Sequence, residues 1–135
     1  MHMKNYEVKE FGDFLYLLKL KGKQSRMRNR LVKLLEEHLL QVETERQHLV
    51  EEYALKDENG EIIFDDNNNI DFKDEQGLRK EIAVLMTEEY ILEESLDKQE
   101  MFSIIREIIE EYGESTEMSG EESMNFERFC EFLDI

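Results

Sequence analysis

Proline and tryptophan are absent from this 135-residue chain, glycine occurs six times and cysteine once. With no proline and little glycine, helices meet few breakers, so long helical runs are expected. A single thiol, Cys130, cannot close an internal disulfide and is too few for a zinc site, which fits a reducing cytoplasmic setting. No apolar run reaches the ~18 residues that a membrane span needs. The start lacks the apolar core of a secretory signal, and Met1-His2 reads as a cloning remnant ahead of a start at Met3. Glycine-rich phosphate loops, GxSxG and HExxH are all missing, so catalysis has no motif to stand on.

Positive charge is also in short supply, and it is unevenly placed. The chain carries 34 acids against 17 Lys and Arg, a net charge of −17. Residues 4–33 hold nine cations against three acids, a balance of +6, and residues 34–135 hold eight against thirty-one, a balance of −23. A body this acidic gives up stability to self-repulsion in exchange for solubility or for a partner. A basic segment joined to an acidic remainder points to binding.

The apolar content is 40%, with eight Phe and five Tyr. That is enough for one core and one domain spanning residues 1–135. Residues 10–20 are dense in Phe and Leu and read as a buried helix. Lys21-Gly22-Lys23 reads as a break. Leu31, Leu35, Leu39, Val42, Leu49 and Tyr53 recur at three- and four-residue steps, predicting a long helix over 25–55 that Arg46 interrupts. Asn59-Gly60 and Asp65–Asn69 are turn signals, so Glu61–Phe64 and Ile70–Phe72 predict a small β-hairpin near residues 61–72, with a flexible loop as the alternative. No internal repeat is visible. Helical spacing returns over 75–112, although Glu88–Glu94 alternates weakly as a strand. Asp97 with Glu100 resembles a capping box, so a second helix could begin there. Gly113 is placed as a helix stop, and Ser119 with Glu122 could cap a last helix bearing Phe126, Phe129, Phe132 and Leu133. The expected fold is mainly α, with four or five helices around the long antiparallel pair 25–55 and 75–112.

The most unusual local feature is the basic stretch Lys19–Lys33. With a helix start at Ser25, Arg26, Arg28 and Arg30 fall in or near its first two turns, where cations oppose the helix dipole by about 0.3–1 kcal/mol each. Arg26, Arg30 and Lys33 share one face. A bound anion or acidic partner would reverse the penalty. The plainer account is that acids of 75–112, or of a second subunit, cover these cations. Lys23, Arg26, Arg28, Arg30 and Lys33 are therefore the candidate binding residues, and a homo-oligomer stays open. No aromatic is interleaved from Lys19 to Leu34, and the acidic remainder repels phosphates, so direct nucleic-acid binding is disfavoured.

The acids allow the opposite role. Glu89 and Glu93, with Glu107, Glu110, Glu111 and Glu114, could imitate DNA phosphates and fill a basic groove; the plainer meaning of such runs is a solvated helix face. Asp65, Asn67, Asn69 and Asp71 alternate like the start of a calcium loop. Ile70 and Gln76 stand where Gly and Glu are required, so a turn is expected. Glu45 and His48 form one Glu-x-x-His pair without the second copy a di-iron site needs. His38 and His48 are expected at the surface or rim, and Cys130 is expected to be an inert packed thiol. No catalytic residue, metal or cofactor is expected.

The run LKLKGKQSRMRNRLVKLL (Leu18–Leu35), with the charged helix after it and TEEYIL (Thr87–Leu92), resembles a family of small tailed-phage and prophage proteins known only as a domain of unknown function. The resemblance covers most of the chain from Met3 onwards and carries no catalytic residues. It implies a bacterial cytoplasmic setting during phage production, and a part in particle assembly. The reading is thus a non-enzymatic phage accessory protein that binds another protein in virion or tail assembly. The alternative is an acidic, DNA-mimicking inhibitor of a host nucleic-acid-binding defence protein.

Overall fold

In the computed structural model, which describes all residues Met1–Ile135, the longest element is a helix whose apolar positions fall on one side. Met27, Leu31, Val32, Leu35 and Val42 are buried along it, at the three- and four-residue steps that stack side chains on one face. The chain runs β1 (His2–Lys4), α1 (Asn5–Leu17), α2 (Gly22–Tyr53), α3 (Glu75–Thr87), β2 (Glu89–Ile91), a 3-10 turn (Leu96–Lys98), α4 (Gln99–Ser115) and α5 (Gly120–Phe132). At 1.5 Å per residue, the 32 residues of α2 make a rod of about 48 Å.

The fold is mainly helical, with five α-helices and a small antiparallel sheet. The core gathers at the N-terminal half of α2. There Met27, Leu31, Val32 and Leu35 meet Val8, Phe11 and Leu15 of α1, Phe102, Ile105 and Ile109 of α4, and Phe129, Phe132 and Leu133 at the C-terminus. Aromatic edges join three of these elements. Phe11 packs on Phe129 at 5.2 Å and on Phe132 at 5.6 Å, and Phe14 packs on Phe129 at 4.9 Å and Tyr112 at 5.2 Å. Arg128 ties α5 to α1 by donating to Glu10 at 2.7 Å and Glu7 at 3.5 Å. The C-terminal half of α2 is covered by α3, which runs antiparallel to it: the Lys73 amide meets the Tyr53 carbonyl at one end and Tyr90 meets His38 at the other.

Several expectations need correction. The second arm of the expected long pair, 75–112, divides in two, with its second helix beginning at Gln99, close to the start that Asp97 suggested. It breaks after Thr87 into β2 and the 3-10 turn, where the alternation of Glu88–Glu94 marks the strand. Strand β2 pairs with β1 in the register His2↔Ile91, Met3↔Tyr90, Lys4↔Glu89. His2, set aside as a remnant, thus lies in the sheet, and the Met1 amine donates to the Leu92 carbonyl. The first helix begins at Asn5, and Tyr16 and Leu17 at its end are exposed. Gly113 does not stop a helix, since α4 passes through it to Ser115. Its missing side chain makes room for α5, because a Cβ there would stand 2.9 Å from Phe126. Asp97 and Glu100 form no capping box; Asp97 accepts from the Ser95 hydroxyl and Glu100 pairs with Lys23.

Between α2 and α3 the chain builds a closed three-sided ring. Phe64 and Ile70 bridge around the Asp65–Asn69 turn, where a hairpin was expected, but a third segment joins them: Lys56 bridges Ile62 and Ala54 bridges Phe72. The Leu55 amide donates to Asp71, the Asp71 amide to Ile63 and the Ile63 amide to Leu55, at 2.8, 3.1 and 2.9 Å. These residues are eight apart, and the sequence repeats at the same interval, DENGEIIF (57–64) then DDNNNIDF (65–72). An internal repeat is therefore present. The two turns match bond for bond. Asp57 Oδ1 accepts from the amides of Asn59 and Glu61, and Asp65 Oδ1 from those of Asn67 and Asn69. Gly60 (φ 78°) and Asn68 (φ 64°) hold the same left-handed position, which these residue types adopt most readily. The third corner is supplied by the helix ends, through the Lys73 amide and the Tyr53 carbonyl at 2.9 Å.

Candidate cation face on the long helix

The chain leaves α1 at Leu17 and re-enters helix at Gly22, whose φ of +61° makes the turn. No acid lies in the first turn of α2 and no side chain caps it. Because α2 begins at Gly22 and not at Ser25, Lys23 is the only candidate cation in the first turn. The dipole penalty falls off within that turn, so it bears mainly on Lys23. Lys23 forms an ion pair with Glu100. That pairing is the main reason the Glu100 carboxyl is held below its usual range, with the charges of Arg30 and Arg26 adding to it.

Arg28 was expected on the binding surface and is inside the molecule. It is 9% exposed, and its Nη1 donates to the carbonyls of Leu15 at 2.7 Å, Leu18 at 2.8 Å and Tyr16 at 3.3 Å, while Nε donates to Asn29 Oδ1 at 2.8 Å. At the end of α1 the Leu15 carbonyl also accepts the Leu18 amide at 3.3 Å, whereas those of Tyr16 and Leu18 have only Arg28, and a cation there agrees with the dipole of α1. Arg28 is a brace between the first two helices and is not free to meet a partner.

Arg26, Arg30 and Lys33 remain exposed along successive turns of α2. No carboxylate comes within 4.0 Å of any of them, and the one hydrogen bond that the Arg30 side chain makes is to the Met27 sulfur at 3.8 Å. The contrast with the rest of the chain is sharp. Among the ten Lys and Arg outside residues 19–33, seven reach a carboxylate (Lys4, Lys9, Arg46, Arg79, Lys98, Arg106 and Arg128). Among the seven inside it, only Lys23 does. The same exposed face of α2 continues through Glu37 to Leu40, which is 70% exposed.

The acidic candidates are all exposed. Glu107, Glu110, Glu111 and Glu114 line α4, and Glu111 accepts from Gln24 at 3.4 Å. Glu89 and Glu93 lie at the sheet, where Glu89 faces Lys4 and His2 at 3.9 Å each. No hydrogen bond or ion pair joins the two groups.

Three arrangements escaped the sequence reading. The first is Arg28. The second is the eight-residue repeat, legible once the segment is set against itself. The third is a buried junction around Asn5. Its Nδ2 donates to the Leu85 carbonyl at 2.8 Å, and its Oδ1 lies 2.6 Å from His38 Nε2. With the amide orientation fixed by Leu85, Oδ1 is the acceptor and the neutral His38 carries its proton on Nε2. His48, in contrast, is exposed. No group of three His, Cys, Asp or Glu side chains is placed to hold a metal ion. Cys130 is half-buried and its thiol is pushed up by that burial and by Glu110, Glu127 and Glu131, so at neutral pH it is not the reactive thiolate. No helix is long and apolar enough to cross a membrane.

No family model matches the chain, and no curated protein or solved structure matches it.

Proposed function

We propose that this chain is a non-enzymatic phage accessory protein that binds another protein, in virion or tail assembly, within the bacterial cytoplasm or on the particle. The observation that carries the reading is the set of unpaired cations Arg26, Arg30 and Lys33 on a chain of net charge −17. Acids outnumber bases two to one, and most cations elsewhere find a carboxylate. Three that find none, on consecutive turns of one exposed face, are available to an acidic surface of another molecule. Charge on such a face acts mainly on encounter rate and register. The resemblance of Leu18–Leu35 to phage proteins supplies the setting.

The test is affinity capture from phage-infected cells with the natural chain and with the Arg26→Glu, Arg30→Glu, Lys33→Glu variant. The expected result is loss of the captured protein with helix content by circular dichroism unchanged. Capture that survives the reversal overturns the role.

The second reading, an acidic inhibitor of a host nucleic-acid-binding protein, draws on the exposure of Glu107, Glu110 and Glu114 along one helix with no cation paired to them. It predicts that duplex DNA displaces the captured protein and that moderate salt weakens the complex.

A further inference from the structure

The ring between α2 and α3 exposes apolar side chains that no element covers. Leu55 is 38% exposed, Ile63 37% and Phe64 53%. Leu55 and Ile63 hold equivalent places on adjoining sides of the ring, linked by the Ile63 amide to the Leu55 carbonyl, and Phe64 follows directly. Around them the charge is one-sided. Residues 54–72 contain one cation, Lys56, and six carboxylates. Two of those, Asp57 and Asp65, are spent on closing the turns. Glu58, Glu61 and Asp66 stand exposed on or beside the turn tips, and their carboxylates accept no bond.

We propose that this ring is a second docking surface, and that its partner is a protein presenting an apolar hollow edged with Lys or Arg. The proposal does not depend on the role given to Arg26, Arg30 and Lys33. Exposed apolar groups rimmed by charge mark protein contacts, and the sign of the rim selects among partners. Six carboxylates repel both a phosphate backbone and an anionic lipid surface. They complement a basic rim. The amides of Leu55, Ile63 and Asp71 are spent within the ring, whereas those of Ile62 and Phe64 donate to no acceptor in the chain. Recognition runs through the exposed side chains, with these free amides beside them. The closed hydrogen-bond circuit and the two matched turns hold those side chains before a partner arrives, which lowers the ordering cost of binding.

A second copy of the chain does not fit as the occupant. Its own apolar hollow, lined by Phe14, Leu17, Leu18 and Leu20, sets Glu111 and Glu122 beside Lys19, and those acids repel the carboxylates of the ring. From Arg30 to Ala54 along α2 is about 36 Å. That is far enough for the two ends of the rod to meet different bodies at once.

The test uses the full chain, labelled with nitrogen-15, and two synthetic peptides. One has a Leu/Phe centre flanked by lysines and the other has the same centre flanked by glutamates. The lysine-flanked peptide is expected to shift the amide signals of Leu55, Ile63 and Phe64, and to bind at least tenfold more tightly than its glutamate twin. Ile63→Ser with Phe64→Ser is expected to weaken binding at least tenfold. Glu58→Lys, Glu61→Lys, Asp66→Lys alters only exposed side chains and keeps the test open should the apolar variant not fold; it is expected to exchange the preference between the peptides. Equal binding of the two peptides overturns the proposal. So do shifts confined to residues outside 54–72, an unchanged preference in the charge variant, or larger shifts of the same amides with anionic phospholipid vesicles.

Discussion

The imidazole of His38 lies flat on the ring of Tyr90, with centroids 3.7 Å apart and planes within 8°. Two helices and the sheet meet at this stack, because Asn5 at the start of α1 shares a hydrogen bond with His38 and Tyr90 pairs with Met3 in the ladder. Burial lowers the His38 pKa below its ordinary 6.5, against an opposing pull from the Glu45 charge. Burial, with the nearby Glu37 charge, also raises that of Tyr90. A histidine whose folded pKa is depressed binds fewer protons folded than unfolded as pH falls through 6.5. Stability from this site is therefore complete above pH 6.5 and is lost as pH drops towards the folded value.

Thermal unfolding of the natural chain and of His38→Gln from pH 7.5 to 5.5 checks this. The expected outcome is a larger drop in melting temperature for the natural chain than for the variant across that window. Parallel curves would show that His38 contributes nothing to the dependence.

Arg28 and Arg30 are two residues apart in a basic run and should behave oppositely on substitution. Arg28→Ala strands the carbonyls of Tyr16 and Leu18 and takes one of two donors from that of Leu15. Losing hydrogen bonds from a charged donor there should cost about 2–4 kcal/mol. Arg30→Ala removes an exposed side chain without a carboxylate partner and should stay within about 0.5 kcal/mol. Urea unfolding of the two variants separates them, and equal midpoints would count against the brace.

The contrast between those two arginines shows where the sequence could be read and where it could not. The long helix was legible because Leu31, Leu35 and Val42 repeat at helical spacing over many turns, and the last helix because Phe126, Phe129 and Phe132 do the same. Arg28 was misplaced because a basic residue among basic residues reads as surface. Its position four before Val32 put it on the buried side, and what it serves there is the end of α1, ten or more residues away. The β1–β2 pairing joins residues nearly ninety positions apart, and three-residue strands carry too little pattern to announce it. The cation face was legible in position, since Arg26, Arg30 and Lys33 are exposed together. The dipole does not account for it, because α2 starts three residues before Ser25 and its dipole acts mainly on Lys23.

Arg128 offers a measure of how firmly α5 is held. It bonds Glu10 and Glu7 on α1 and Asn125 on its own helix, and Glu7 is itself occupied with the Lys4 amide at 2.9 Å. Arg128→Gln should cost about 1–2 kcal/mol, more than an exposed pair does, because the Glu7 side chain is only 12% exposed. Glu10→Gln should cost less than half as much. A double-mutant cycle on Arg128 and Glu7 is expected to give a coupling of about 1 kcal/mol; a coupling of zero would show that Glu7 takes no part and that Arg128 ties α5 to α1 through Glu10 alone.

The matched turns of the ring make a prediction that neither turn would make by itself. Gly60 and Asn68 occupy one left-handed position in two copies of the same eight-residue unit, so each names a residue the other position accepts. Gly60→Asn should be nearly neutral, whereas Gly60→Ala should cost about 1–2 kcal/mol, because alanine has neither the freedom of glycine nor the local bonding of asparagine in that conformation. Nothing lies within 4 Å of a Cβ built at Gly60, so crowding cannot produce the difference. Asp57→Ala and Asp65→Ala each leave two turn amides without their side-chain acceptor and should cost similar amounts, about 1 kcal/mol. Because the ring lies at the far end of α2 from the core, these losses should appear first as faster amide exchange at Leu55, Ile63 and Asp71 and only then as a lower melting temperature. Unequal costs for the two aspartates, or an alanine at position 60 as well tolerated as asparagine, would mean that the repeat in sequence is not a repeat in energy.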